Sequence, residues 1–198
     1  MRGARKTKKS ARSWLMLLLL LFMGTWSEHL WGETNTESSE KAMDKEYMIQ
    51  ECHKWFAVEL NILTWNLLEK EARTEEEDEK MIHAAHASCY HWSIVGTAVN
   101  LQRGEWLISR VYVVLNRPEP ALYHAKKCLE LTEKYNFEDF DLAYAYEAMA
   151  RAHASAGEKA EFEKYYSLAK EAGEKIKEKE DRDLFFSDFE SEPWHNIK

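Results

Sequence analysis

The amino-acid sequence predicts an all-α protein, a short right-handed stack of helical hairpins closed by a C-terminal capping helix. The 198 residues include only seven glycines and three prolines, which leaves little material for β-hairpin turns or glycine-rich phosphate loops. Apolar residues recur at three- and four-residue spacing between residues 43 and 189, without the alternation typical of strands. We therefore expect six main helices and a short terminal helix within residues 43–190.

Residues 1–42 are predicted to be a leader outside this helical domain. Residues 1–12 carry six basic side chains and no acid, and Trp14–Met23 is an almost purely apolar run. This pattern is typical of a secretory signal or signal-anchor. Even residues 14–26 are short for a transmembrane helix, which needs about 20 apolar residues.

The alternative is that translation begins at Met43, where the first clean helical pattern opens. We expect a cytoplasmic protein that starts at or near Met43, with export or membrane anchoring through residues 1–26 as the alternative. Membrane contact is expected only if residues 14–26 are retained. Cys52, Cys89 and Cys128 are widely spaced without a C-x-x-C pair, which favours free thiols in a reducing compartment.

The first helices are indicated by their apolar stripes and by one start signal. Residues 45–72 carry a long stripe of apolar side chains at helical spacing. Thr74 and Glu77 have the spacing of a capping box, which satisfies free N–H groups at a helix start, so the next helix is expected from about Glu75 to Trp92.

The central hairpin, residues 104–131, consists of two helices separated by Pro118 and Pro120, since proline is tolerated in the first turn of a helix. Helices at about 139–156 and 159–177 follow, with Gly157 as the C-cap between them. A short helix rich in leucine and phenylalanine near residue 185 is expected to cover the last open face. Residues 191–198 are predicted to be a disordered tail.

The central hairpin matches the next one when the sequence is shifted so that Ile108 falls on Met149. In this repeat register Asn116 falls on Gly157. The first helix of the central hairpin has a small residue followed by an aromatic one, Ser109 and Tyr112, and the second has the small residues Ala121 and Cys128, although Phe162 stands where the next hairpin should have a small residue. On these residues the chain resembles the tetratricopeptide-repeat (TPR) superfamily over 108–131 and, more loosely, 146–172, although that family has a shorter period of about 34 residues.

The resemblance implies a non-enzymatic scaffold whose concave groove binds a peptide or a partner protein. In TPR-like stacks the first helix of each hairpin lines that groove. Arg110 and Arg151, which coincide in the repeat register, are then expected to face it and to clamp a carboxylate, as arginine does bidentately. The predicted groove residues are Arg103, Trp106, Arg110, Tyr144, Glu147 and Arg151. We expect an acidic peptide or a C-terminal carboxylate as the ligand; the alternative is that each arginine pairs with an acid of its own.

Composition and motifs limit the other functions. The net charge of the whole chain is −8, and because residues 1–12 contribute +6, the rest of the chain carries −14. The body is therefore acidic, and nucleic acid is not expected as a partner. No nucleophile motif, Walker loop or dinucleotide fingerprint occurs, and no cofactor is predicted.

Two histidines nevertheless suggest an alternative, a metal-dependent helical-bundle enzyme or metal-binding protein. His83 and His86 share one face of a predicted helix. Catalytic zinc needs a third protein ligand, for which Glu79, His124 and His153 are candidates. Histidines that pack and hydrogen-bond between helices are the competing interpretation.

Tryptophan is abundant, with eight residues in the chain. Trp55, Trp65, Trp92 and Trp106 are placed to line a ligand pocket, although aromatic residues at helical spacing more often form the core.

Overall fold

The computed structural model describes residues 37–195 and residue 197, with side chains from residue 44 onward. This part of the chain forms seven α-helices, and none of its residues lies in a β-strand, so the all-α prediction is confirmed. The helices are α1 (Glu37–Leu68), α2 (Glu75–Val95), α3 (Ala98–Val114), α4 (Pro118–Lys134), α5 (Asp139–Ala156), α6 (Lys159–Glu174) and α7 (Lys179–Phe189).

Helix ends that depend on local chemistry lie where the sequence predicts them. The Thr74 hydroxyl accepts from the Glu77 N–H at 3.3 Å, and the Glu77 carboxylate accepts from the Thr74 N–H at 3.1 Å. Pro118 is the first residue of α4. Gly157 ends α5 with φ of 72°, a left-handed conformation that glycine adopts without steric cost.

The start of α3 differs from the sequence prediction. The helix begins at Ala98 instead of near Gly104, because Thr97 and Asn100 form a second cap in which the Asn100 side-chain oxygen accepts from the Thr97 N–H at 2.8 Å. Gly104 therefore lies inside α3. A Cβ atom there would lie 2.8 Å from the Cys89 Sγ atom, so glycine permits the close approach of α3 to α2.

Consecutive helices pack against each other from α1 to α6, α3 also contacts α5, and α7 packs against both α5 and α6. Two hydrophobic clusters result. The smaller joins α1, α2 and α3 around Met81 and Val111. The larger lies within α3–α7 and includes Trp194. The core of the described chain thus runs from α1 to α7, with α3 contributing to both clusters.

The segment that follows α7 is part of this core, in contrast to the predicted disordered tail at 191–198. Trp194 is only 1% exposed and packs against Phe162, Tyr166 and Phe189. We call residues 188–195, which include the last two residues of α7, the C-terminal segment. The aromatic contacts that hold Trp194 are ones that no local sequence pattern encodes, and the domain boundary at residue 190 stays a prediction.

All three cysteines are free thiols, with Cys52 exposed on α1 and the other two buried. Burial raises the pKa of Cys89 to about 12 and raises the pKa of Cys128 well above its ordinary value. A buried thiol resists ionisation because the thiolate loses its hydration.

None of the helices in the described part of the chain combines the length and apolar character needed to cross a membrane. The predicted leader run Trp14–Met23 lies outside the described residues.

We expect Gly104→Ala to lower the free energy of unfolding by a net of about 1–2 kcal/mol, although alanine has the higher helix propensity. The added methyl group must displace Cys89 from its contact at 2.8 Å. Urea denaturation measures the change. Adding Cys89→Ala removes the closest atom and should make the double variant less unstable than the sum of the single changes. Additive losses would contradict this explanation.

Candidate functional site

The six predicted groove residues lie on the facing helices α3 and α5, and the structure brings them together. Trp106 and Glu147, which coincide in the repeat register, are in direct contact, since the indole Nε1 donates to the Glu147 Oε2 at 3.0 Å. The residues nevertheless divide into two groups. One group surrounds Glu147 in the core, and the other lines a pocket.

Glu147 is the centre of a buried charged cluster and is only 1% exposed. Its carboxylate accepts from the Trp106 indole, from the Arg110 Nη1 at 3.3 Å and from the Arg151 Nε. We call these four residues the Glu147 cluster. A buried carboxylate is tolerated only when it is paired and hydrogen-bonded, and this one has three donors.

The C-terminal segment completes the cluster by supplying main-chain oxygens to Arg151. The Arg151 Nη2 donates to the Asp188 carbonyl at 2.7 Å, and its Nη1 donates to the carbonyls of Ser191 and Pro193 at 3.1 and 3.0 Å. The guanidinium lies 4.1 Å from the centre of the Trp194 ring, within the range of a cation–π interaction.

The expectation that Arg110 and Arg151 face an open groove is therefore corrected. Their side chains are 9% and 1% exposed, and both pair with the same acid, Glu147, instead of each with an acid of its own. The repeat register placed the two arginines at equivalent positions of two helices, which are α3 and α5 in the structure. It did not reveal that the C-terminal segment lies over them, because Ser191–Trp194 has no periodicity.

Tyr144 links the cluster to α7. Its hydroxyl donates to the Asp188 Oδ2 at 2.8 Å. Burial raises the pKa of Tyr144 well above its ordinary value, and the neighbouring Asp188 carboxylate adds to the effect. The tyrosine therefore stays a neutral donor and fixes the start of the C-terminal segment.

An aromatic pocket of about 170 Å³ lies beside the Glu147 cluster, between α1, α2, α3, α5 and α7. It is lined by Asn61, Trp65, Trp92, Asn100, Gln102, Arg103, Gly104, Trp106, Leu107, Phe140, Asp141, Tyr144 and Asp181. Three of the four tryptophans considered from the sequence are in this lining. Trp55 is not, and it is 58% exposed on α1.

The polar side chains of the aromatic pocket include an arginine that is already paired and a glutamine whose oxygen is not. Arg103 is paired bidentately with Asp141, at 2.8 and 3.2 Å, and lies 5.8 Å from the Phe140 ring centre. Gln102 is 1% exposed, and within the described structure its Oε1 has no hydrogen-bond partner. Neither Gln102 nor Asp181 carried any sequence signal for a site.

The two histidines of the metal alternative lie in different environments. His83 is exposed, whereas the His86 Nε2 is 3.0 Å from the Tyr112 hydroxyl. The candidate third ligands are also engaged: His124 pairs with Glu105, His153 with Glu158, and Glu79 with Arg117. Over the described residues, no three His, Cys, Asp or Glu side chains are grouped so that they could hold a metal ion.

Comparisons of the chain with models of known protein families, with curated proteins and with solved structures find no match.

We expect Arg151→Ala to lower the free energy of unfolding by about 3–5 kcal/mol, because it removes one partner of a buried ion pair and leaves main-chain oxygens without this donor. Arg117→Ala is the matched control. Arg117 pairs with Glu79 where both side chains are about half exposed, so its loss should cost less than about 1 kcal/mol. Urea denaturation of both variants compares them. Equal, small losses would show that the Glu147 cluster does not stabilise the fold.

Proposed function

We propose that the protein is a non-enzymatic TPR-like binding module whose α3–α5 groove recognises an extended acidic peptide, and that its own C-terminal segment occupies this groove in the described state. The observation that carries the proposal is the set of three hydrogen bonds from Arg151 to main-chain carbonyls of the segment. Such bonds recognise a peptide backbone and depend little on side-chain identity.

The TPR-like right-handed stack itself is part of this proposal. It is supported by the sequential packing of the helices and by features that match in the repeat register. Asn116 and Gly157, at the ends of α3 and α5, both have positive φ, at 53° and 72°. Ser109 and Ala150 are both fully buried where helices approach closely.

The composition of the C-terminal segment supports an acidic ligand. Residues 188–194 include Asp188, Glu190 and Glu192 together with Phe189 and Trp194. The segment therefore has the charge expected for a ligand of Arg110 and Arg151, and it adds a tryptophan that stacks on one guanidinium. A partner peptide with an acidic and aromatic composition would compete for the same contacts.

We also propose that the protein acts in the cytoplasm. The three free thiols support this location, since disulfides are the usual state of paired cysteines in oxidising compartments. The proposed partner is a protein or peptide, and no nucleic acid is proposed.

Replacing the two arginines is a poor test of this function, because both are buried and their loss should destabilise the fold. Removal of residues 191–198 keeps both arginines in place, although it also takes the buried Trp194 side chain out of the core. The shortened chain keeps the contacts of Arg151 with Glu147 and with the Asp188 carbonyl. The contacts that it removes from the two arginines include the Ser191 and Pro193 carbonyls, the Ser191 hydroxyl and the Trp194 ring.

We expect a fluorescent peptide of residues 187–198 to bind the chain that lacks residues 191–198 at least tenfold more tightly than the full chain. The tethered segment competes at an effective concentration in the millimolar range, which the shortened chain lacks. Fluorescence anisotropy measures both affinities, and the same peptide with alanine in place of Trp194 is the matched control.

Full-length protein with Trp194→Ala repeats the comparison without truncation, because it weakens the segment while keeping the chain intact. If neither folded variant binds the wild-type peptide better than the alanine peptide, the groove is not a peptide-binding site.

A further inference from the structure

We propose that the aromatic pocket is a second binding site, separate from the peptide groove, and that it binds a small organic cation with at least one N–H donor, such as a primary ammonium group. Four features of the pocket carry this assignment: the aromatic lining, the carbonyl oxygen of Gln102, the carboxylate of Asp181 and the engagement of Arg103.

The walls favour a cation because they include five aromatic side chains. Trp65, Trp92, Trp106, Phe140 and Tyr144 all line the pocket. Trp65 and Trp106 lie 5.8 Å apart between ring centres, and Phe140 and Tyr144 lie 4.6 Å apart. Aromatic faces carry partial negative charge, so a cation placed among them is attracted electrostatically.

The Gln102 amide contributes an unpaired acceptor to the lining of the pocket. Its Nε2 donates to the Thr132 hydroxyl and to the Asp141 carbonyl, both at 3.1 Å. Because a carbonyl can only accept, this contact fixes which end of the amide is nitrogen and which is oxygen. The Oε1 is thus an acceptor without a donor among the described residues. A buried acceptor in this condition is costly, and a ligand N–H would relieve the cost.

The charged side chains of the pocket also favour a cationic ligand. Asp181 is half-buried at the pocket. Burial, with help from the neighbouring Asp139 and Glu178, raises the pKa of Asp181, although Arg103 opposes the shift. Arg103 is already engaged by Asp141. The pocket therefore offers a ligand an acceptor and a carboxylate, whereas the arginine in its lining is committed to a carboxylate of the protein.

The test titrates the full chain with benzylammonium, using benzyl alcohol and benzoate as neutral and anionic probes of similar shape. Isothermal titration calorimetry measures affinity, and tryptophan emission reports occupancy. We expect saturable binding of benzylammonium with a single site, and affinities at least tenfold weaker for the alcohol and for benzoate.

Two substitutions on α7 test whether the Asp181 carboxylate contributes to binding. Asp181→Asn should weaken benzylammonium binding roughly tenfold, because it removes the carboxylate beside the site. Asp183→Asn removes the same charge two residues away on the exposed side of α7, where Asp183 pairs with Lys179. It should change the affinity less than about twofold.

Gln102→Met separates the hydrogen bond from the charge, since methionine keeps the volume and removes the acceptor. It should reduce the preference for benzylammonium over benzyltrimethylammonium, which has no N–H. Asp181→Asn keeps the proposal testable if the methionine variant does not fold.

Three results would overturn the proposal: no saturable benzylammonium binding up to about 10 mM, equal binding of the alcohol or benzoate, or equal losses in the two α7 variants. Because this site does not involve residues 191–198, its failure is independent of the peptide experiment.

Discussion

The structure depends on the neutralisation of one buried carboxylate. Glu147 lies in the middle of α5 with 1% exposure, and desolvation of such a charge is tolerated only with several donors around it. Trp106 and Arg110 reach it from α3, and Arg151 reaches it from one turn along α5. Arg151 carries more N–H groups than Glu147 can accept, and the excess is satisfied by the C-terminal segment. The cluster thereby ties α3, α5 and the end of the described chain into one unit.

The Glu147 cluster and the aromatic pocket lie side by side because they share one residue. Trp106 belongs to both, because its indole N–H is directed to Glu147 while the residue lines the aromatic pocket. Tyr144 also has two roles, because it lines the pocket and its hydroxyl donates to the Asp188 carboxylate. Trp106 and Tyr144 therefore each form part of the pocket wall and make a hydrogen bond outside it. The two proposed sites are physically adjacent although their ligands differ in charge.

The features that could be predicted from the sequence are those fixed by neighbours in the chain. Thr74 with Glu77, Pro118 and Gly157 each determine a helix end through contacts within a few positions, and each lies as expected. The repeat register likewise placed the two arginines of the Glu147 cluster on facing helices.

The burial of those arginines could not be predicted from the sequence. It depends on Ser191 and Trp194, which lie far from both arginines along the chain and show no periodic pattern. Gln102 was missed for a similar reason, because a glutamine becomes an unpaired acceptor only through its three-dimensional surroundings.

The three cysteines should differ in their reactivity towards alkylating reagents because they are unequally buried. A thiol reacts as its thiolate, so the raised pKa values of Cys89 and Cys128 make both slow towards alkylating reagents at neutral pH while the helices stay packed. Cys52 is exposed on α1 and accepts such a reagent from the folded chain. The protein thus contains an addressable position for a spectroscopic label without any mutation. Cys89 touches Gly104 across the α2–α3 interface. The rate at which Cys89 is labelled therefore measures how often those two helices separate.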